Sequence, residues 1–349
     1  MAYTTINKPS DYFRIKLYAG NATQNRAITW DESSNMKPDW LWFKNRSATQ
    51  SHCLFDTLRG ATQRLIPSSS NGQNTENTNL DSFDTNGFTV DHEAIINGNS
   101  ANYVCWGWKA ANTSGSSNSD GDVTSTVSVN STAGISIVKW TNNGNASWIG
   151  HGLGTTPHWI LIKSLSSSAS SITAWVNYHH KINATDPEDY TIYLNNQDAR
   201  VDNPIFNDTA PTSTKFRFDS ADTTDYIAYC FAEKTGYSKF GTYDGNGQND
   251  GPFIYTGFKP AFLIQREVGS SRDWTMIDSK RSTFNVMDDR LVPNDSSAEV
   301  TNNNTDFLSN GFKVRGNQTN TNNNGGRYIY MAFAEEPLVG TNDVPATAR

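Results

Sequence analysis

Short apolar runs separated by stretches of Gly, Asn, Ser and Thr recur along this chain, and the same runs return in the same order three times. Each series contains a proline followed by an apolar run that ends in a cation: Pro38-Asp39-Trp40-Leu41-Trp42-Phe43-Lys44, Pro157-His158-Trp159-Ile160-Leu161-Ile162-Lys163 and Pro260-Ala261-Phe262-Leu263-Ile264-Gln265-Arg266. The prolines are 119 and 103 residues apart. Upstream of each lies an aromatic with a Gly/Asn turn, at Tyr18-Ala19-Gly20-Asn21, Trp140 to Asn145 and Tyr243 to Gly247, which predicts a strand reversal. Downstream comes a second strand-like run whose closing residue, Asp56, Asn177 or Asp278, lies 18, 20 or 18 residues past its proline. A third element pairs Ser82–Val90 with Asp306–Val314, and more loosely with Lys215–Phe218, where the turn glycine is missing. An aromatic strand ends each series: Tyr103–Ala110, Tyr226–Glu233 and Tyr328–Glu335.

Runs this short, rich in aromatic and β-branched residues and bounded by turn formers, predict strands, and no long amphipathic helical pattern competes with them. Both alternating sets are apolar in Trp40-Leu41-Trp42-Phe43 and in Trp159-Ile160-Leu161-Ile162, which predicts strands covered on both faces. A repeat of this size is too long for a solenoid turn and matches a small domain with its own core. The expected fold is therefore all-β: three tandem β-sandwich domains of jelly-roll or lectin-like type, with an extra covering layer. The expected boundaries are 1–112, 113–235 and 236–349, with a polar linker at 112–122 and a C-terminal extension at 337–349.

Composition narrows the function. Charged residues are 18% of the 349 and the formal net charge is −7, so no basic footprint for nucleic acid is present. Ten Trp, 14 Tyr and 17 Phe are too many aromatics for a disordered polar chain. Three cysteines, Cys53, Cys105 and Cys230, give neither a disulfide framework nor a zinc knuckle and are expected as buried thiols. No apolar run is long enough to span a membrane, and the start Met1 to Asn7 lacks a signal-peptide pattern. Synthesis in a reducing cytoplasm and no membrane insertion are the expectations.

The search for chemistry returns little. The histidines, His52, His92, His151, His158, His179 and His180, form no metal-ligand spacing and read as solvated turn residues. No nucleophile elbow, P-loop or dinucleotide fingerprint is present. Asp288-Asp289 and Asp81/Asp84 are weak candidates for a glycosidase carboxylate pair, and Asp244 to Asp250 is weighed as a calcium turn against a plain hairpin. No catalytic residue, metal or cofactor is therefore assigned. Trp40, Trp42, Trp106 and Trp108 read as core, whereas Trp30 and Trp148, in polar turn-rich surroundings, are the candidates for surface contact.

The combination of Tyr18-Ala19-Gly20-Asn21, Pro38 to Arg46, Phe55 to Thr62, Tyr226 to Glu233 and Gly257-Phe258-Lys259-Pro260, with the ending Ala332 to Gly340, resembles the tandem-repeat virion proteins of marine bacteriophages over essentially the whole chain. The middle repeat departs from the pattern, with Asn177-Tyr178-His179-His180 where the first has Asp56-Thr57-Leu58-Arg59. The resemblance implies a non-enzymatic structural protein of the particle, tail- or fibre-associated, built from lectin-like modules and carrying no catalytic residues. Expected partners are other virion proteins, further copies of the chain and, at the host surface, a glycan. A capsid decoration protein, a carbohydrate-binding receptor module and a depolymerase are the competing readings.

Overall fold

The computed structural model of the chain describes residues 4–340 and 345–347, with backbone alone at 303–304. Part of the expected C-terminal extension (341–344, 348–349) and the first three residues read for a leader lie outside the described residues. The molecule is 44% strand and 5% helix, and the named strands pair antiparallel.

Three sheets repeat one strand order, in which the first strand of a unit lies beside its last, then the proline-led strand, then the strand after it. The first unit lays out Phe13–Ala19, Asn102–Trp108, Trp40–Asn45 and Cys53–Asp56 in that order. The second lays out Ile135–Thr141, Asp225–Phe231, Trp159–Ser164 and Val176–His179, widened to eight strands by neighbours on both edges. The third lays out Ser238–Asp244, Arg327–Pro337, Phe258–Glu267 and Thr275–Asp278. A second sheet accompanies each: Arg26–Thr29, Gly87–Val90 and Leu80–Asp84; Ser147–Gly150 with Lys215–Phe218; and, four-stranded like the first, Asp250–Tyr255, Gly311–Arg315, Val300–Leu308 and Met287–Arg290.

The turn glycine seen in two of the repeats has a physical cause. A Cβ on Gly87 would sit 2.0 Å from the Ile28 carbonyl oxygen, and one on Gly311 would sit 2.1 Å from that of Ile254. Only glycine allows the hairpin to lie this close to the second strand. The middle repeat lacks it, and there Lys215–Phe218 pairs only with Ser147–Gly150.

The interior explains the doubly apolar strands. Leu41 and Phe43 face a core private to the first unit, with Ile28, Phe88 and Cys105. Ile160 and Ile162 do the same in the second unit, and Leu263 in the third. The alternate residues all turn to one common core: Trp40, Trp42, Trp106 and Trp108 from the first unit, Trp159, Leu161, Tyr229 and Phe231 from the second, Phe262, Ile264, Met331 and Phe333 from the third. Trp40 stacks on Tyr229 at 4.5 Å, Phe13 on Phe333 at 5.2 Å, and Trp159 lies 5.7 Å from Trp274, so all three pairs of units touch. The covering layer expected from the sequence is thus the other two units. Three beads, each closed around its own core, would leave this face wet; instead the chain closes into a ring around a shared centre.

The polar stretch 112–122 also differs from the expected linker. Ser116–Asn118 forms a strand against Ser125–Asn130, and Asp122 N donates to Trp148 O at 2.8 Å. Its side chains bury little, but its backbone completes a ladder, and that suffices at a sheet edge.

Candidate functional site

The residues that combine charge, aromatic surface and burial gather at the three junctions of the ring. The cation that ends each proline-led strand reaches into a neighbouring unit and donates to its backbone carbonyls. Lys44 Nζ reaches Ser296 O at 3.2 Å, Lys163 Nζ reaches Ser70 O at 2.7 Å, and Arg266 Nη1 reaches Asn196 O at 2.6 Å. The direction is cyclic, first unit to third, second to first, third to second. This is the head-to-tail contact that closes a ring. Burial pulls Lys44 down to about 8, Lys163 to about 7 and Arg266 to about 10.

Beside each cation sits the corner where the fourth strand ends. Asp56 pairs with Arg59 at 2.5 Å and accepts from Tyr229 OH of the second unit at 2.7 Å. Asp278 pairs with Arg281 at 2.5 Å and accepts from Trp106 Nε1 of the first unit at 3.1 Å. In the middle repeat the strand register puts His179, not Asn177, in this place, because Trp159 faces His179 just as Trp40 faces Asp56 and Phe262 faces Asp278. The sequence spacing therefore misplaced this corner by two residues. The residue facing it from the third unit, equivalent to Tyr229 and Trp106, is Met331, which has no donor. A buried carboxylate there would keep the backbone donor Lys181 N but would meet the Tyr330 carbonyl, 3.4 Å from His179 Nε2, where the other two corners meet a side-chain donor; a neutral imidazole avoids that cost. The matching arginine is gone as well, replaced by Ile182.

His179 is fully buried and His180 and His158 pack beside it, with ring centroids 5.2 and 4.5 Å apart along the series. The reading of these as solvated turn residues is corrected: the ring junction buries His179 and half-buries His180 and His158, His151 is buried in the second unit, and His52 is buried where the first unit meets the third, accepting from Trp42 Nε1. Burial, followed by its histidine neighbour, holds His179 well below its ordinary value, and burial takes His180 down to about 4. The unfolded chain takes up these protons near 6.5, the folded chain only at lower pH, so acid favours unfolding. Stability is full above pH 6.5 and falls as the pH drops toward 4, by about 2 kcal/mol at pH 5 from His180 alone. Thermal melts between pH 7.5 and 5 are expected to show this decline, and His180→Asn to flatten it.

The other sequence candidates scatter. Trp30 is only 4% exposed and donates from Nε1 to Met36 O at 2.8 Å, so its polar surroundings in sequence conceal a core position and the expected surface contact is not made there. Trp148 is half-buried on the small sheet of the second unit, with Lys215 Nζ 5.1 Å and Arg217 Cζ 5.3 Å from its ring. Asp289 lies 3.9 Å from Arg46, while Asp288 meets Ser282, and Asp84 accepts from Ser82 and Thr89. In the Asp244 to Asp250 turn, Asn322 Nδ2 donates to Asn246 Oδ1 and Gln248 O, and Asp250 pairs with Lys313 at 2.8 Å, so the oxygens serve the hairpin itself. Among the described residues no group of three or more His, Cys, Asp or Glu is placed to hold a metal ion. Cys53, Cys105 and Cys230 are free and buried, and burial pushes the Cys53 thiol up to about 12.

Two surface features were not read from the sequence. Among the described residues the large apolar side chains left exposed are Val201 and, all in the third unit, Phe253, Tyr255, Phe284, Val286 and Val300. Phe253 and Tyr255 point outward on either side of buried Ile254, on the edge strand of that unit's second sheet. Their alternation was visible in the sequence; that the outer face stays exposed was not. The second feature is a cavity of about 430 Å³ where the third unit meets the first.

Fold and junctions together define an all-β protein of three topologically matched units closed around one core. The chain belongs to the DUF7483 family, a domain of unknown function whose family model matches residues 8–337. That one match takes in all three units, as the shared interior would require. No curated protein and no solved structure matches the chain. No helix among the described residues is long and apolar enough to cross a membrane.

Proposed function

We propose that this chain is a non-enzymatic structural protein of a bacteriophage particle, tail- or fibre-associated, that binds other virion proteins and contributes to attachment at the host surface. The finer architecture proposed with it is three tandem β-sandwiches of jelly-roll or lectin-like type. The observation that carries the reading is the unequal outer surface. The three units share one topology and bury their charged and aromatic clusters in the ring, yet the exposed aromatics Phe253, Tyr255 and Phe284 all lie on the third. Exposed large apolar side chains mark protein contact where they gather, and the confinement of the exposed aromatics to one unit fits docking by one side of a rigid body. The sequence resemblance supports the particle assignment, and assembly inside a host cell suits buried free thiols.

The test is antibody-fragment labelling of purified particles, imaged by electron cryomicroscopy. Density at the tail or its fibres, with the third unit facing the particle, is expected. Absence of the chain from purified particles would remove the reading, and label on the capsid shell would replace it with a decoration role.

A further inference from the structure

The ring has three junctions of equivalent geometry, and the one that closes it carries the cavity of about 430 Å³. The reason is visible residue by residue. A backbone bond links the position after each corner to the position before each central strand: Thr57 N to Asp39 O at 2.9 Å, His180 N to His158 O at 2.9 Å, Ser279 N to Ala261 O at 2.8 Å. Between the second and third units the two side chains are imidazoles; His180 Nε2 lies 2.7 Å from Phe240 O, Glu233 pairs with Lys239 at 2.7 Å, and a smaller cavity of about 170 Å³ lies beside that pair. Between the first and second units the Asp39 carboxylate accepts from Ala110 N and Asn112 N at 2.7 and 3.0 Å, so the crossing chain lies over the same place. At the closing junction the corresponding residues are Ala261 and Ser279, and among the described residues no segment linking two units crosses there; the cavity of about 430 Å³ lies at this place.

The lining indicates what fits. Its floor is apolar: Phe13, Ile15, Ala261 and Ala334, each less than a tenth exposed. Arg14, Lys280, Glu32 and Glu335 line the rest, two charges of each sign, together with Ser10, Ser279 and Thr283. These charges are already committed nearby. Arg14 donates to Ser34 O at 2.8 Å and lies 3.6 Å from Glu32, and Glu335 is 3.4 Å from Lys259. A lone anion or cation would gain from two wall groups and be repelled by the other two. A neutral ring with hydroxyls around its edge and C–H groups on its face meets both donors and acceptors and covers the apolar floor. The volume lies within the ordinary range of small-ligand sites.

We propose that this cavity binds a neutral sugar residue, as a terminal glycan unit, across the junction of the first and third units. As the glycan contact of the attachment role, the inference rests on the function proposed above. Binding is measured on the purified chain and attachment on particles, so the two fail separately.

The experiment is saturation-transfer NMR of the intact chain with the methyl glycosides of glucose, galactose, mannose and N-acetylglucosamine, beside methyl glucuronide and methyl glucosaminide as charged probes. At least one neutral glycoside is expected to bind, more tightly than either charged probe. Ala261→His, which supplies the imidazole present at the second junction, is expected to weaken it about tenfold or more. Lys280→Glu, at a partly exposed side chain that leaves the core untouched, unbalances the wall and is expected to weaken it too, which keeps the test open if the first variant fails to fold. The inference is overturned if no neutral glycoside gives a signal, if a charged probe binds best, or if the signal survives Lys280→Glu unchanged. Cavity binding without any effect of the same glycoside on particle adsorption would leave the site standing and remove the attachment role.

Discussion

Trp40→Ala is expected to lower the stability of the whole chain by about 3–5 kcal/mol, the range found when a large buried aromatic is truncated. Trp40 is 1% exposed and sits where units meet, against Trp42 and Trp108 of its own unit and Tyr229 and Phe231 of the second. A void of about 20 Å³ already borders it, lined by Trp159 and Phe262 from the other two units. Truncation enlarges that void at a place where three sheets converge, and collapse from one side alone will not fill it. Trp40→Phe is the informative companion. Among the described residues the buried Trp40 Nε1 proton has no acceptor, so phenylalanine loses volume but removes an unsatisfied donor, and its cost should be less than half that of alanine. Chemical denaturation with fluorescence and circular dichroism reads both; a local effect confined to the first unit's signals would count against the shared core.

Asp278→Ala is expected to cost a similar amount, about 3–5 kcal/mol, for an electrostatic reason. The carboxylate is 1% exposed and satisfies Trp106 Nε1 from the first unit, Arg281 Nε, and the backbone N–H groups of Lys280 and Arg281. Alanine strands these donors and leaves the buried guanidinium of Arg281 with Glu299 alone among the carboxylates, at 2.9 Å. Breaking one side of a buried pair is costly because the remaining charge is uncompensated. Asp278→Ala combined with Arg281→Met is therefore expected to be more stable than Asp278→Ala by itself. Asp250→Ala, which removes a pair at an 80%-exposed carboxylate, should leave the melting midpoint where it was, since exposed pairs contribute little.

The strands and their order within each unit were legible because burial on two faces forces apolar residues at successive positions of Trp40-Leu41-Trp42-Phe43 and its counterparts, and because turn glycines mark the hairpins. What covers the second face was not legible. A strand under a helix layer and a strand under two further sheets carry the same pattern, so Trp40 and Leu41 look alike in sequence while one serves a common core and the other a private one. Trp30 was misread for a related reason: polar neighbours in the chain do not report the side chains folded over it, here Phe88 at 5.6 Å. The corner at His179 escaped because Met331, the residue that makes a carboxylate unsuitable there, lies far along the chain in another unit. The cavity was beyond the sequence altogether, for it depends on small residues at Ala261 and Ser279 meeting a junction that, among the described residues, no segment linking two units crosses.

That the three units are one cooperative body, with function left to its outer surface, is tested most directly by differential scanning calorimetry of the unmodified chain at neutral pH. The account predicts a single endotherm whose calorimetric and van't Hoff enthalpies agree. Separate transitions, one for each unit, would contradict it.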